Sequence, residues 1–258
     1  MKAQGPLRTV IRAFPTTITM AALISGMLSL YASLQGLEAG ADAAACHLRA
    51  ALLIMLAMIL DGLDGNVARL LNATSEIGSE LDTFVDLTAF GIAPALLIYV
   101  TADGFPPALR LTLGCALVAS GAYRLSRFKV VDPFRGQHGF LGLPITVCAA
   151  FVALFQILSA SAPESWGLLK PNLREGPFAA GVLGFIALLA VLQVSRFHFP
   201  KPTKNPLFFI PSVIGVFLLF SGRPVLVAGT ALAGILFGLY FVFITPFLNR
   251  PPVQESRE

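Results

Sequence analysis

Six of the fourteen acidic residues in this 258-residue sequence fall within 26 positions: Asp61, Asp64, Glu76, Glu80, Asp82 and Asp86. Asp61 directly follows the apolar run from Ala50 to Leu60, which belongs inside a bilayer. An ionised carboxylate near hydrocarbon costs several kcal/mol unless it is compensated. Several close together also repel one another, so the group persists only with protonation, basic partners or bound cations. Asp61 and Asp64 are three residues apart and share one helix face, as do Asp82 and Asp86, four apart. The polar stretch Asn72-Ala73-Thr74-Ser75 between the pairs lets two helices fold into a hairpin with the carboxylates facing each other. Four convergent carboxylates without His or Cys make a hard, all-oxygen site suited to Mg²⁺ or Mn²⁺, with Ca²⁺ a further occupant, and not to Zn²⁺. Two divalent ions balance four negative charges, and paired metals serve phosphoryl chemistry. A cation pathway through a transporter is the competing use of such acids. Glu76 and Glu80 read instead as acids near a helix start, where they suit the helix dipole.

The elements that must hold these residues are membrane helices. Hydrophobic residues make up 56% of the chain, charged residues only 12%, and the mean hydropathy is +0.78. Soluble domains carry about 25% charge, so this chain cannot coat a water-exposed surface. The pattern predicts an all-α polytopic membrane protein of about eight spans, near 15–37, 46–71, 78–100, 106–127, 140–161, 177–196, 206–222 and 224–247. It reads as one domain. A short amphipathic segment at 1–14 precedes the helices of 15–247, and a tail follows at 248–258. The apolar stretch at 16–34 is longer than a signal-peptide core and is read as a span.

An even number of spans puts both termini on one side. Thirteen of the eighteen Lys and Arg residues then fall on that side, among them Arg69, Arg124, Arg127, Lys129 and Arg135. Five fall opposite: Arg49, Arg110, Lys170, Arg174 and Arg223. The positive-inside rule makes the richer side cytoplasmic, and the acidic cluster lies on it. The net charge of +4 has no interleaved aromatic stripe, so nucleic acid is not an expected partner. The three cysteines have no metal spacing. His138 reads as a loop residue, and His47 and His198 as interfacial. Arg69, one turn beyond Gly65, is a permanent cation beside the acids, able to hold a phosphate bidentately.

Residues 61–69 read Asp-Gly-Leu-Asp-Gly-Asn-Val-Ala-Arg, and after eight residues 78–86 read Gly-Ser-Glu-Leu-Asp-Thr-Phe-Val-Asp. This resembles the signature of the CDP-alcohol phosphotransferase family, D-x-x-D-G-x-x-A-R-x8-G-x3-D-x3-D, at all eight fixed positions. The resemblance implies displacement of CMP from a CDP-linked lipid by an alcohol. It implies that Asp61, Asp64, Asp82 and Asp86 ligate two divalent cations, Mg²⁺ or Mn²⁺, and that Asp86 is the base for the alcohol. It further implies that Gly65, Ala68, Arg69 and Gly78 contact the CDP moiety.

The stretches 86–95, 123–128 and 142–144 are similar to bacterial-type phosphatidylserine synthases within that family. That similarity implies CDP-diacylglycerol and serine as substrates and a site on the cytoplasmic face of a bacterial inner membrane; a homodimer is compatible with it. Glycerol phosphate, inositol phosphate or choline are the alternative acceptors. Arg124, Arg127 and Lys129 are the candidates to hold the acceptor or the lipid phosphate. The chain departs from the synthase pattern at Pro15-Thr16, where Pro-Asn is common, and at Lys129, where Asn is common.

Overall fold

A computed structural model describes residues 6–38, 40–71, 73, 75–130, 140–199 and 214–248; for residues 6–13, 41, 140, 168–169 and 247–248 it describes the backbone alone. The loop carrying Arg135 and His138 and much of the expected span at 206–222 lie outside these residues.

The described chain is almost entirely helical. In order, the helices are α1 (Pro6–Glu38), α2 (Ala43–Leu70), α3 (Glu76–Leu87), α4 (Ala93–Thr101), α5 (Pro107–Val130), α6 (Ile145–Ser161), α7 (Gly176–Val194), α8 (Pro224–Phe243) and the short α9 (Thr245–Leu248). Residues 214–219 are also helical. A five-residue π turn, Thr88–Ile92, joins α3 to α4, so the two form one continuous rod. Five described stretches are long and apolar enough to cross a membrane: Phe14–Glu38, Ala43–Leu70, Glu76–Thr101, Gly176–Val194 and Pro224–Phe243. α6 is apolar but has only 17 residues. α5 has 24 residues but carries Arg110, Arg124, Arg127 and Lys129. The expected span at 140–161 starts later, at Ile145, because Phe140–Leu141 pairs antiparallel with His198–Phe199 and Pro144 precedes the helix. α1 runs unbroken through Pro15, so the segment expected to lie apart at 1–14 overlaps its first turns.

The first two helices meet through small residues. Ala22, Ser25, Gly26, Ser29, Ala32, Ser33 and Gly36 form a buried seam on α1 at helical spacing. It faces Ala50, Ala51, Ile54 and Ala57 of α2. Small side chains let helix backbones approach, which is how helices associate where lipid supplies no hydrophobic drive. Ser25 Oγ donates to Leu53 O (2.8 Å) and Ser29 Oγ to Ala50 O (2.9 Å), tying the seam to the partner backbone. Met20, Ile24, Met27 and Tyr31 project outward, as lipid-facing residues should. α6 is the central helix. It packs against α2, α7 and α8, with Ile145, Cys148, Ala149, Ala153 and Ile157 fully buried.

α1 also crosses the π turn. A β-carbon at Gly26 would lie 2.7 Å from Ala89 Cβ and 2.9 Å from Ala89 Cα, so only glycine permits this crossing. At the membrane end far from the acids, Arg174 grips Asp103 with two hydrogen bonds of 3.0 and 2.6 Å. That guanidinium holds the Asp103 carboxyl below the usual carboxylate range.

Candidate active site

α2 carries Asp61 and Asp64 in its last three turns, and α3 carries Asp82 and Asp86. The start of α3 is fixed by Ser75, whose side-chain oxygen accepts from the Gly78 N–H (3.0 Å). This is an N-cap, and it satisfies one of the backbone donors that a helix start leaves open. Glu76 sits in the first turn, where its charge complements the dipole. Glu80 pairs with Lys129 of α5 at 2.7 Å, which draws α5 against α3.

The hairpin brings Asp61, Asp64 and Asp82 together. One carboxylate oxygen from each lies within 4.8 Å of the other two. Asp64 is buried, at 5% exposure, and Asp61 Oδ1 is buried without a hydrogen-bond partner. A buried carboxylate oxygen is normally satisfied. Three convergent carboxylates, one with an orphaned oxygen, and no nitrogen or sulfur donor among them fit a hard divalent cation. Asp86 stands outside this trio, one turn further along α3, and interacts with Asp82, Asp64 and the buried Arg124 of α5.

The residues expected around the trio divide into groups. Arg69 lies along the exposed side of α2. Its Nη2 donates to Asn66 Oδ1 (2.9 Å), and Asn66 Nδ2 donates to Gly62 O (2.7 Å). A β-carbon at Gly65 would meet nothing nearer than Arg69 Nη2 at 4.0 Å, so this glycine leaves open space beneath the guanidinium. Ala68 O accepts from the Ala73 N–H (2.9 Å) and so helps to close the turn. Lys129 faces Glu80 and Asp82.

Arg127 is engaged elsewhere than expected. Its Nη1 donates to Val194 O (2.9 Å), and its Nη2 to Leu141 O (2.9 Å), Ser195 O (2.8 Å) and Gln193 O (3.4 Å). A guanidinium suits this position because the last carbonyls of α7 have no helical partner. Gly142 stands against the same group. Its φ is +76°, and a β-carbon there would lie 2.2 Å from Gln193 O and 2.5 Å from Arg127 Nη2. Arg127 therefore clamps the end of α7 to the entry of α6, and its terminal nitrogens are committed to carbonyls rather than to a phosphate.

One participant went unread in the sequence. Thr19 of α1 is buried, and its hydroxyl donates to Asp64 Oδ2. Its signal was a hydroxyl on the same helical face as Pro15, Ala22 and Gly26. The π turn was equally unmarked. It begins two residues after Asp86 and buries Ala89, Phe90 and Gly91, and the Ala93 N–H reaches back to Thr88 O. Such turns concentrate at functional sites.

A helical membrane protein with an acidic trio at one end of its bundle and basic side chains beside it joins a candidate cation site to groups able to hold a phosphate. The family model for CDP-alcohol phosphatidyltransferase matches residues 12–194, and the chain belongs to that family of divalent-metal-dependent enzymes. Among its relatives is a Helicobacter pylori (strain J99) protein, "CDP-diacylglycerol--serine O-phosphatidyltransferase". It is 34% identical over 234 residues, covering 89% of this chain and 88% of the relative. A Bacillus subtilis protein of the same name is 37% identical over 193 residues, covering 74% and 92%. An "Archaetidylserine synthase" of Methanothermobacter thermautotrophicus is 37% identical over 150 residues, covering 56% and 58%.

Proposed function

We propose that this enzyme transfers a phosphatidyl group from CDP-diacylglycerol to serine, giving phosphatidylserine and CMP. The observation that carries the acceptor is the match along 89% of the chain to a relative named for serine. The site supports the chemistry. Asp61, Asp64 and Asp82 would hold divalent metal, Mg²⁺ or Mn²⁺, and Asp86 would complete the site of a second ion. When bound, the metal neutralises the diphosphate and the departing CMP.

The serine hydroxyl oxygen attacks the β-phosphorus, and the bond from that phosphorus to the bridging oxygen breaks. CMP leaves with the bond's electrons. Asp86, beyond the trio, accepts the hydroxyl proton through a carboxylate oxygen not engaged by metal. Arg124, buried beside Asp86, orients that carboxylate and the acceptor, while Lys129 attracts the lipid phosphate. Arg69 and the small residues Gly65, Ala68 and Gly78 admit the CDP moiety, the glycines by letting backbone and phosphate approach closely. The site faces the cytoplasm of a bacterial inner membrane, with both termini on the same side, in keeping with the distribution of basic residues. A homodimer is compatible with this arrangement.

The test is CMP release by purified protein given CDP-diacylglycerol, Mn²⁺ or Mg²⁺, and serine, glycerol phosphate, inositol phosphate or choline in turn. Serine is expected to support turnover, and Asp82→Asn or Asp86→Asn to abolish it while the protein stays folded. Release with another alcohol but not with serine overturns the acceptor. Absence of release with every alcohol overturns the enzyme's assigned reaction.

A further inference from the structure

We infer that Thr19 is a positioning residue, which fixes the carboxylate of Asp64 for cation binding. The inference rests on reading the acidic trio as a metal centre.

Thr19 and Asp64 lie 45 residues apart, on α1 and α2, and both are buried, at 4% and 5% exposure. The Thr19 hydroxyl has two acceptors within reach: Asp64 Oδ2, and Pro15 O in its own helix at 3.1 Å. It carries one proton. A carboxylate is the stronger acceptor, because charge-assisted hydrogen bonds are roughly twice as strong as neutral ones. The proton therefore goes to Asp64. A carboxylate on a single helix can rotate about its side-chain bonds. One held from a second, tightly packed helix cannot do so without breaking that bond.

The seam of small residues makes the hold rigid. Ser25 and Ser29, further along the same face, tie α1 to the α2 backbone. Thr19 is thus presented to Asp64 at a fixed distance. α1 contributes no acid to the centre, yet it sets the orientation of the most buried one. Groups that orient ligands in this way raise metal affinity, and their loss costs about 10–100-fold in binding.

Thr19→Val keeps the shape and β-branching but removes the hydroxyl, whereas Thr19→Ser keeps the hydroxyl and removes a methyl. Binding of Mn²⁺ alone to each detergent-purified variant can be followed from the electron paramagnetic resonance signal of free Mn²⁺, without lipid substrate or turnover. Thr19→Val is expected to weaken Mn²⁺ binding by about 10–100-fold, while Thr19→Ser stays within about threefold of the parent. In the assay of CMP release, the Mn²⁺ concentration giving half-maximal rate is expected to rise by the same factor.

Equal Mn²⁺ affinity in Thr19→Val and the parent overturns the inference and leaves the metal centre standing. Equal losses in the Val and Ser variants also overturn it, since packing rather than the hydroxyl then matters. A parent protein that binds no Mn²⁺, or binds it unchanged after Asp82→Asn, overturns the metal centre itself and the inference with it.

Discussion

The crossing of α1 over the π turn gives the sharpest structural prediction. Gly26→Ala would place a methyl 2.7 Å from Ala89 Cβ, 2.9 Å from Ala89 Cα and 3.3 Å from Ala89 N. Carbon atoms pack at about 3.5–4.0 Å, so the overlap is about 1 Å. Two of the three neighbours are backbone atoms and cannot rotate away, so α1 and the π turn must separate by roughly that distance.

Two opposing terms set the stability. Alanine gains up to about 1 kcal/mol over glycine in a helix interior, and overpacking costs about 1–3 kcal/mol. The net loss is therefore at most about 3 kcal/mol, and the variant should fold. Activity should suffer more. The π turn begins two residues after Asp86, and Gly26 lies on the same α1 face as Thr19, so the displacement is felt at both. Misplacement by 1 Å can cost about 10²-fold in rate. The assay is CMP release by detergent-purified protein at saturating substrates, with thermal unfolding measured alongside. A Gly26→Ala rate within twofold of the parent, at equal stability, would refute the claim that this crossing sets the site. Ala89→Gly in the same chain removes the nearest clash but leaves the one at Cα, so it should restore only part of the rate.

Two further outcomes follow from contacts away from the acids. Arg127→Lys replaces a planar fork by a point charge and cannot serve carbonyls on both α7 and the Leu141 strand. At about 1 kcal/mol for each hydrogen bond lost, the variant should lose about 2–3 kcal/mol, read as a lowered midpoint of thermal unfolding; an unchanged midpoint removes the clamp. The Asp103 carboxyl titrates below its unfolded value because Arg174 grips it, so the pair stabilises the fold above that unfolded value and ceases to do so as pH falls through the folded one. The pair is largely exposed, so Asp103→Asn should cost at most about 1 kcal/mol near pH 7. The difference from the parent should begin to shrink as pH falls below about 4 and vanish only below the depressed folded value, and a difference that grows on acidification contradicts the pairing.

Much of this was legible in the residues. The scarcity of charge named the bilayer, and the spacing of Asp61, Asp64 and Asp82 on two joined helices anticipated their meeting. Both signals are local: helical periodicity and a short connection leave few ways to fold. What could not be read were contacts made across long separations. Thr19 reaches Asp64 from the preceding span, and although it shares a helical face with Ala22 and Gly26, nothing local says which acid that face meets. Arg127 looked like other basic residues at the end of a span. Its partners are backbone carbonyls, which every residue possesses and no side-chain pattern reveals. The π turn was hidden for a similar reason. Thr88–Ile92 contains neither proline nor an unusual run.

The seam between α1 and α2 bears on how the protein enters the membrane. Asp61 and Asp64 burden α2 as a lone span, by less than the about 2.5–3.5 kcal/mol that an acid costs at a helix centre, since both lie in its last turns. α1 emerges from the ribosome first, with the Thr19 hydroxyl and the Ser25 and Ser29 bonds ready for α2. The two helices are suited to partition into lipid as a preassembled hairpin, in which the acids are already shielded from hydrocarbon. The face that assembles the reaction centre would then also serve as the chaperone for its own biogenesis.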